Sequence, residues 1–139
     1  MDSKELMVGD WVMVAQCVAD AHFRHYPDKV ESISKDLVGL ASDGLETILD
    51  RINPIPLTEE ILMKNGFSTG KTISGTELFT CEVTHQLAGD GFEIQRITIY
   101  PKWICYIETA TTAVRTGITY IHQLQHLLRL CSVEKEIEL

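Results

Sequence analysis

Short apolar runs alternate with turn-forming residues through residues 1–57. Gly9-Asp10 leads into a β-prone run, and similar runs follow after polar gaps. The pattern predicts strands over 11–15, 30–35, 37–41 and 45–49, with a loop over 20–28. Several short strands within about 40 residues are typical of a small β-barrel or curled sheet.

A short helix with agreeing start and stop signals comes next. Two prolines force an extended approach to it. Thr58 is a suitable N-cap, because its hydroxyl can accept a hydrogen bond from a free N–H of the first turn. Gly66, directly after Asn65, is typical of a left-handed helix stop. We therefore predict a helix over 58–65, within a connecting segment 58–67 that separates two β-rich halves.

The sequence pattern in the second half of the chain predicts an antiparallel meander. Apolar, β-prone runs predict strands over 77–87, 92–100 and 103–107, after a loop over 68–76. A turn with glycine and aspartate joins the first two strands as a hairpin. Phe92 and Ile94 differ in parity from Ile97 and Ile99, which predicts a β-bulge near Gln95.

A closing helix is predicted over 118–130, because apolar residues recur there at helical spacing; residues 118–120 either begin this helix or finish a strand. The stripe comprises Ile121, Leu124, Leu127, Leu128 and Cys131. The predicted fold class is α+β. A barrel-like or curled β subdomain occupies 1–57, the connecting helix occupies 58–67, and a meander covered by one amphipathic helix occupies 68–139. The halves either stay separate or pack as one compact domain.

The charge of the chain is acidic and uneven. Its net charge is −8, from 12 Lys and Arg against 20 Asp and Glu. Residues 1–70 hold 6 basic and 12 acidic residues, a net −6, and residues 71–139 hold the other 6 and 8, a net −2. Because phosphate contacts dominate nucleic-acid affinity, this balance argues against nucleic acid as the main ligand. It leaves open a basic partner.

Hydropathy and cysteine usage bear on the compartment. No apolar run approaches the roughly 20 residues that a membrane helix needs. The opening residues lack the basic and then apolar layout of a signal peptide. The four cysteines include no Cys-x-x-Cys pair and are expected to be reduced thiols. These features predict a cytoplasmic protein with no membrane partner.

His122 and His126 are four residues apart, a spacing that can place two imidazoles on one metal ion. The string between them lacks the glutamate that acts as general base in zinc peptidases. Both lie nearly opposite the apolar stripe, so we expect them to form an exposed polar face with Gln123 and Gln125. A solvated or partner-binding face is favoured over a metal site, and neither a metal nor a cofactor is predicted.

Trp11 and Tyr26 are the second candidate binding feature. Both are expected near a loop that carries His22 and His25, where aromatic side chains suit a recognition surface. With Cys17, these histidines complete a Cys-x4-His-x2-His string. That spacing is unusual for zinc, so a surface loop is the preferred interpretation.

Three stretches together resemble a known family: Glu5–Val12, Ile52–Phe67 and Tyr120–Leu127. They are similar to small proteins of Bacteroides-type gut bacteria, their prophages and their mobile elements. Members typically begin with Leu-x-x-Gly-Asn-x-Val, carry Pro-Ile-Pro-Leu-Thr-Glu-Glu-x-Leu, and end in a His-x-Leu-Gln helix. Asp10 replaces the usual asparagine, and Ile61 stands where tryptophan is common. The resemblance implies a cytoplasmic bacterial or phage setting and supplies no enzymatic residues.

The leading functional hypothesis is a non-catalytic protein-interaction or accessory protein of a bacterial mobile element or phage. It rests on the lack of a catalytic constellation, the acidic first half and the polar face of the closing helix. One alternative is a metal-dependent hydrolase using His122 and His126. Another is a nucleic-acid-binding barrel, which the charge disfavours most. Enzymatic activity is left undecided, with a non-enzyme preferred.

Overall fold

The computed structural model describes residue 1 and residues 3–139. Within them, the α+β class is confirmed: two five-stranded antiparallel sheets occur with two α-helices. The chain forms two compact units, Met1–Pro56 with Tyr120–His122, and Leu57–Thr119 with Gln123–Leu139. The short helix predicted to connect two halves is part of the second unit. No described helix has both the length and the apolar character to span a membrane.

The first unit contains one sheet with strand order β4-β3-β2-β1-β5. Its strands are β1 (Trp11–Ala19), β2 (His22–Ile33), β3 (Leu37–Leu40), β4 (Glu46–Ile48) and β5 (Ile52–Pro54). The core comprises Leu6, Val12, Val14, Val30, Val38, Leu40 and Ile52. Among the described strands, β4 and β5 are the ends of the sheet and do not pair, so a closed barrel is not formed.

The loop predicted over 20–28 is wrong, because β1 and β2 form a long hairpin. Asp20 and Ala21 have φ values of 42° and 63°, the left-handed conformation that tight hairpin turns require. Ala19 pairs with His22 across this turn. The hairpin end is exposed on both faces, so its strands lack the apolar alternation by which a strand is recognised.

The second unit contains a meander in strict chain order, β10-β9-β8-β7-β6. Its strands are β6 (Ser68–Lys71), β7 (Glu77–Gln86), β8 (Phe92–Tyr100), β9 (Ile104–Glu108) and β10 (Ala113–Gly117). The prediction of a meander is confirmed, but the loop predicted over 68–76 is partly wrong because it contains β6. Buried apolar residues of this unit include Leu62, Cys81, Ile97, Ile99, Cys105, Ile107, Leu124 and Leu128.

The short capped helix is confirmed as α1 (Glu59–Lys64). The Thr58 hydroxyl accepts a hydrogen bond from the Ile61 N–H at 3.3 Å. At the other end, the N–H groups of Gly66 and Phe67 donate to carbonyls of the last turn, both at 3.1 Å, and Gly66 has φ 80°. This pairing closes the helix with a Schellman motif.

The β-bulge predicted near Gln95 is wrong, since the pairing of β7 with β8 is continuous from Phe79–Ile99 to Gln86–Phe92. Gln95 is 3% exposed, and its amide group donates to the Ser132 carbonyl at 3.4 Å. It therefore lies on the buried face with Ile97, whereas Ile94 lies on the outer face and is 53% exposed. The bulge was predicted because Gln95, a polar residue, occupies a buried position where the alternation of apolar residues would otherwise have continued.

The closing helix is confirmed as α2 (Ile121–Leu130). All five residues of the predicted apolar stripe are buried. The tail after α2 is not a strand, but it is held in place. The side chain of Asn65 accepts from the Glu138 N–H at 2.8 Å and donates to the Glu138 carbonyl at 2.7 Å. Ile137, the residue before Glu138, is buried.

Candidate functional site

The predicted polar face of α2 is not an exposed surface. His122 is 3% exposed and Gln125 is 6% exposed, while Gln123 and His126 are half-buried. The His122 ring stacks on Tyr120 with ring centroids 5.7 Å apart. The prediction of exposure is wrong, because two of these four side chains are buried and the other two keep only part of their surface exposed. Binding through these four residues remains a prediction.

Trp11 and Tyr26 do not share a surface. Trp11 pairs with Lys29, and Val14 pairs with Tyr26 across the same two strands. Directly opposed residues share a face and neighbours alternate, so Trp11 and Tyr26 lie on opposite faces. Tyr26 packs against the core of the first unit, and burial, followed by the charge of Asp43, raises the pKa of its hydroxyl. Trp11 lies under the Lys29 ammonium, 5.0 Å from the ring centroid.

The residues whose spacing was weighed against a metal site, and for which no metal was predicted, do not converge either. Phe23 and His25 lie on the face of β2 that also presents Cys17 of β1, and His22 lies on the opposite face. Across residue 1 and residues 3–139, no group of three His, Cys, Asp or Glu side chains is arranged to hold a metal ion. A hydrolase centred on His122 and His126 therefore gains no support.

The strongest candidate site lies in the second unit, at the end of the sheet where β6 begins the meander. Two adjoining cavities meet there, with volumes of about 290 Å³ and about 280 Å³, and we call them together the edge cleft. Both are lined by Glu59, Glu77 and Phe79. The larger adds Ile99, Tyr100, Pro101, Lys102 and Trp103, and the smaller adds Thr69, Gly70, Lys71 and Leu78.

The floor of the edge cleft continues the buried face of the sheet. Thr69, Phe79 and Ile99 are directly opposed on β6, β7 and β8, so they form one row across that face. Ile99 is buried, and Phe79 is half-buried. At this end, apolar side chains that elsewhere belong to the core border open space. An apolar floor beside charged walls is the usual construction of a binding site.

One wall of the edge cleft is a strained turn between β8 and β9. Lys102 and Trp103 have φ values of 62° and 58°, in the left-handed region that L-residues avoid at a cost of about 1–2 kcal/mol each. The Trp103 carbonyl accepts a hydrogen bond from the Ile118 N–H at 2.8 Å, which holds the turn in place. The same backbone places both the Lys102 and the Trp103 side chains along the cleft.

The edge cleft carries two carboxylates and two ammonium groups. Lys71 and Glu77 are directly opposed on β6 and β7, with the Lys71 Nζ atom 3.9 Å from Glu77 Oε1. Both side chains are mostly exposed, so this pair contributes less than about 1 kcal/mol. Within the described chain, neither Glu59 nor Lys102 has an ion-pair partner. Glu59 and Lys102 are therefore the two charged groups of the lining that can pair with a bound molecule without breaking an ion pair.

Sequence patterns did not identify this site. Glu59 lies in the first turn of α1, where the helix dipole is a sufficient reason for a carboxylate, and a tryptophan such as Trp103 is most often part of a core. The positive backbone angles after Tyr100-Pro101 carry no sequence signal, because neither residue in that turn is a glycine or an asparagine. Glu59 and Glu77 are separated by eighteen positions, and only the folded sheet brings them to one cavity.

Compared with protein-family models, with curated proteins and with solved structures, the chain matches none of them.

Proposed function

We propose that this protein is a non-catalytic interaction protein, an accessory factor of a bacterial mobile element or phage, and that the edge cleft receives its protein partner. The observation that carries the proposal is the lining of the cleft. It combines aromatic side chains, Phe79 and Trp103, with charged side chains of both signs. Buried aromatic and charged anchors dominate the energetics of protein interfaces.

The size of the cavities supports a side chain as the bound group. Each has about 280–290 Å³, at or below the lower end of the roughly 300–1,000 Å³ of small-molecule pockets. A long side chain of a partner protein fits such a space and leaves the rest of the partner outside. The described lining includes neither histidine nor cysteine, so the common nucleophile and base pairs are not assembled there.

Affinity capture with a matched pair of variants tests the proposal. Glu59 and Glu60 are both exposed in the first turn of α1, so replacing either by lysine costs the helix similar dipole stabilisation. Only Glu59 lines the cleft. We expect the wild-type protein and Glu60→Lys to capture the same partner from a bacterial lysate, and Glu59→Lys to lose it.

Two results would contradict this function. One is capture that is equally strong for Glu59→Lys and Glu60→Lys, because the cleft would then not be the binding site. The other is recovery of no specific partner while the purified protein turns over a small molecule. The second result would establish an enzyme instead of an interaction protein.

A further inference from the structure

The outer edge of β6 is open, and it borders the edge cleft. β6 pairs with β7 on one side, and among the described strands nothing pairs with its other side. Its four residues, Ser68–Lys71, contain no proline, and their register with β7 is continuous. Proline, bulges and a row of charges are the usual devices that prevent pairing at an edge. β6 has a single lysine, which leaves it able to accept another strand.

The hydrogen-bonding pattern shows which groups of β6 are available. The Thr72 N–H donates to the Thr76 carbonyl at 2.9 Å. Thr72 and Thr76 are therefore a hydrogen-bonded pair at the turn between β6 and β7. Bonded and non-bonded pairs alternate along an antiparallel ladder. Lys71 and Thr69 are therefore in non-bonded pairs with β7. Their N–H and C=O groups point outward, to the position that an added strand would occupy.

The side chains of the same two residues face the cleft. Thr69 and Lys71 share the face of Phe79 and Glu77, to which they are directly opposed. Thr69 is small, so a long side chain placed beyond it can pass over it to the Phe79 ring. Glu59 borders the same space. A basic side chain opposite Thr69 therefore meets a carboxylate and an aromatic face, and an acidic side chain opposite Lys71 meets an ammonium group.

We propose that the partner binds as an extended strand added to the outer edge of β6, with a Lys or Arg side chain opposite Thr69 and an acidic side chain two positions away, opposite Lys71. The inference rests on the proposed function and names the partner's chemistry. Main-chain hydrogen bonds to Thr69 and Lys71 supply affinity, and the alternating charges supply specificity. The edge of β10 is equally open among the described strands, but no residue of β10 lines the edge cleft.

A selection of twelve-residue peptides displayed on phage, with the wild-type protein immobilised, tests this proposal. We expect enriched peptides with a basic and an acidic residue two positions apart, between β-branched residues. Amide hydrogen exchange with the best peptide should show new protection at Thr69 and Lys71. Thr69→Pro removes one outward N–H while leaving the ladder to β7 intact, and it should weaken that peptide at least tenfold.

The matched control is Ala113→Pro on β10. The Thr109 N–H donates to the Thr112 carbonyl, so by the same alternation Ala113 also has an outward N–H. This variant should change peptide affinity less than twofold. If selected peptides tolerate Thr69→Pro but are lost with Glu59→Lys, the cleft binds its partner without strand addition, and only this inference falls. If no peptide is enriched and no partner is captured, both proposals fall.

Discussion

The two sheets have the same number of antiparallel strands and different orders. In the first unit, β5 returns to pair with β1, and the two edge strands have three residues each. In the second unit, the strands follow chain order, so the first strand, β6, stays at an edge with four residues. Very short edge strands discourage pairing with other chains. In the second sheet the open edge of β6 borders the cleft, and this is the edge to which we propose that a partner strand binds.

The faces of the two sheets differ as well. In the first unit, a cavity of about 130 Å³ is lined by Tyr26 and Arg51 among others. The second unit has the two larger cavities of the edge cleft. Its buried face is filled at one end, where Gln95 reaches Ser132, and open at the other, where Phe79 borders the cleft. A sheet that is covered along part of one face thus provides both a core and an open cleft.

The largest effect is expected when a side chain on the buried face of the second sheet is truncated, compared with one on its outer face. Ile97 is fully buried and Ile94 is 53% exposed on the same strand. Ile97→Ala should lower the free energy of unfolding by about 2–5 kcal/mol, from lost burial and the cavity left behind. Ile94→Ala should lower it by less than about 0.5 kcal/mol. Urea unfolding in a Trp11→Phe background, followed by Trp103 fluorescence, measures both; equal effects would contradict the assignment of faces.

A smaller effect is expected from the buried thiol of β9. Burial, and secondarily the neighbouring Cys131, raises the pKa of Cys105 from 9.0 to about 12. Between these values the unfolded chain loses a proton that the folded protein keeps, so the free energy of unfolding falls as pH rises through this window. From pH 7.5 to 9.5 the loss should be about 1 kcal/mol. Urea unfolding at both pH values measures it.

The control for this pH dependence is Cys105→Ala, which removes the thiol and should remove this part of the loss. A loss of the same size in the variant would assign the pH dependence to other groups. The exposed thiol of Cys17 offers an independent check. It should react with a thiol reagent in the folded protein at pH 8, while Cys105 should react only after unfolding.

The smallest effect is expected on the outer face of the second sheet. Arg96 donates two hydrogen bonds to Glu82 Oε1, at 3.1 and 2.9 Å, and both side chains are about half exposed. Glu82→Gln should lower the free energy of unfolding by less than about 1 kcal/mol, because exposed ion pairs are screened by water and salt. A loss above about 2 kcal/mol would show that this face is covered in solution.

Several elements were predictable because their causes are local. The helix α1 depends on Thr58 and Gly66, whose capping bonds form within a few residues. The apolar stripe of α2 and the hairpin of β7 and β8 follow from periodicity and turn chemistry. The missed strands have equally clear reasons. β6 is a short polar edge, and the start of β2 is exposed on both faces, so neither shows a hydrophobic period.

By itself, the sequence determined the α+β class, the capped helix and the apolar stripe of α2, because helical periodicity and capping follow patterns within a few positions. The tertiary structure decided which side chains meet. It buried His122, which the helical pattern placed on an exposed face. It also placed Trp11 and Tyr26 on opposite faces of the same sheet. It also brought Glu59 and Glu77 to one cavity. Which distant side chains come together depends on strand order and register, and these leave no signal in the local sequence.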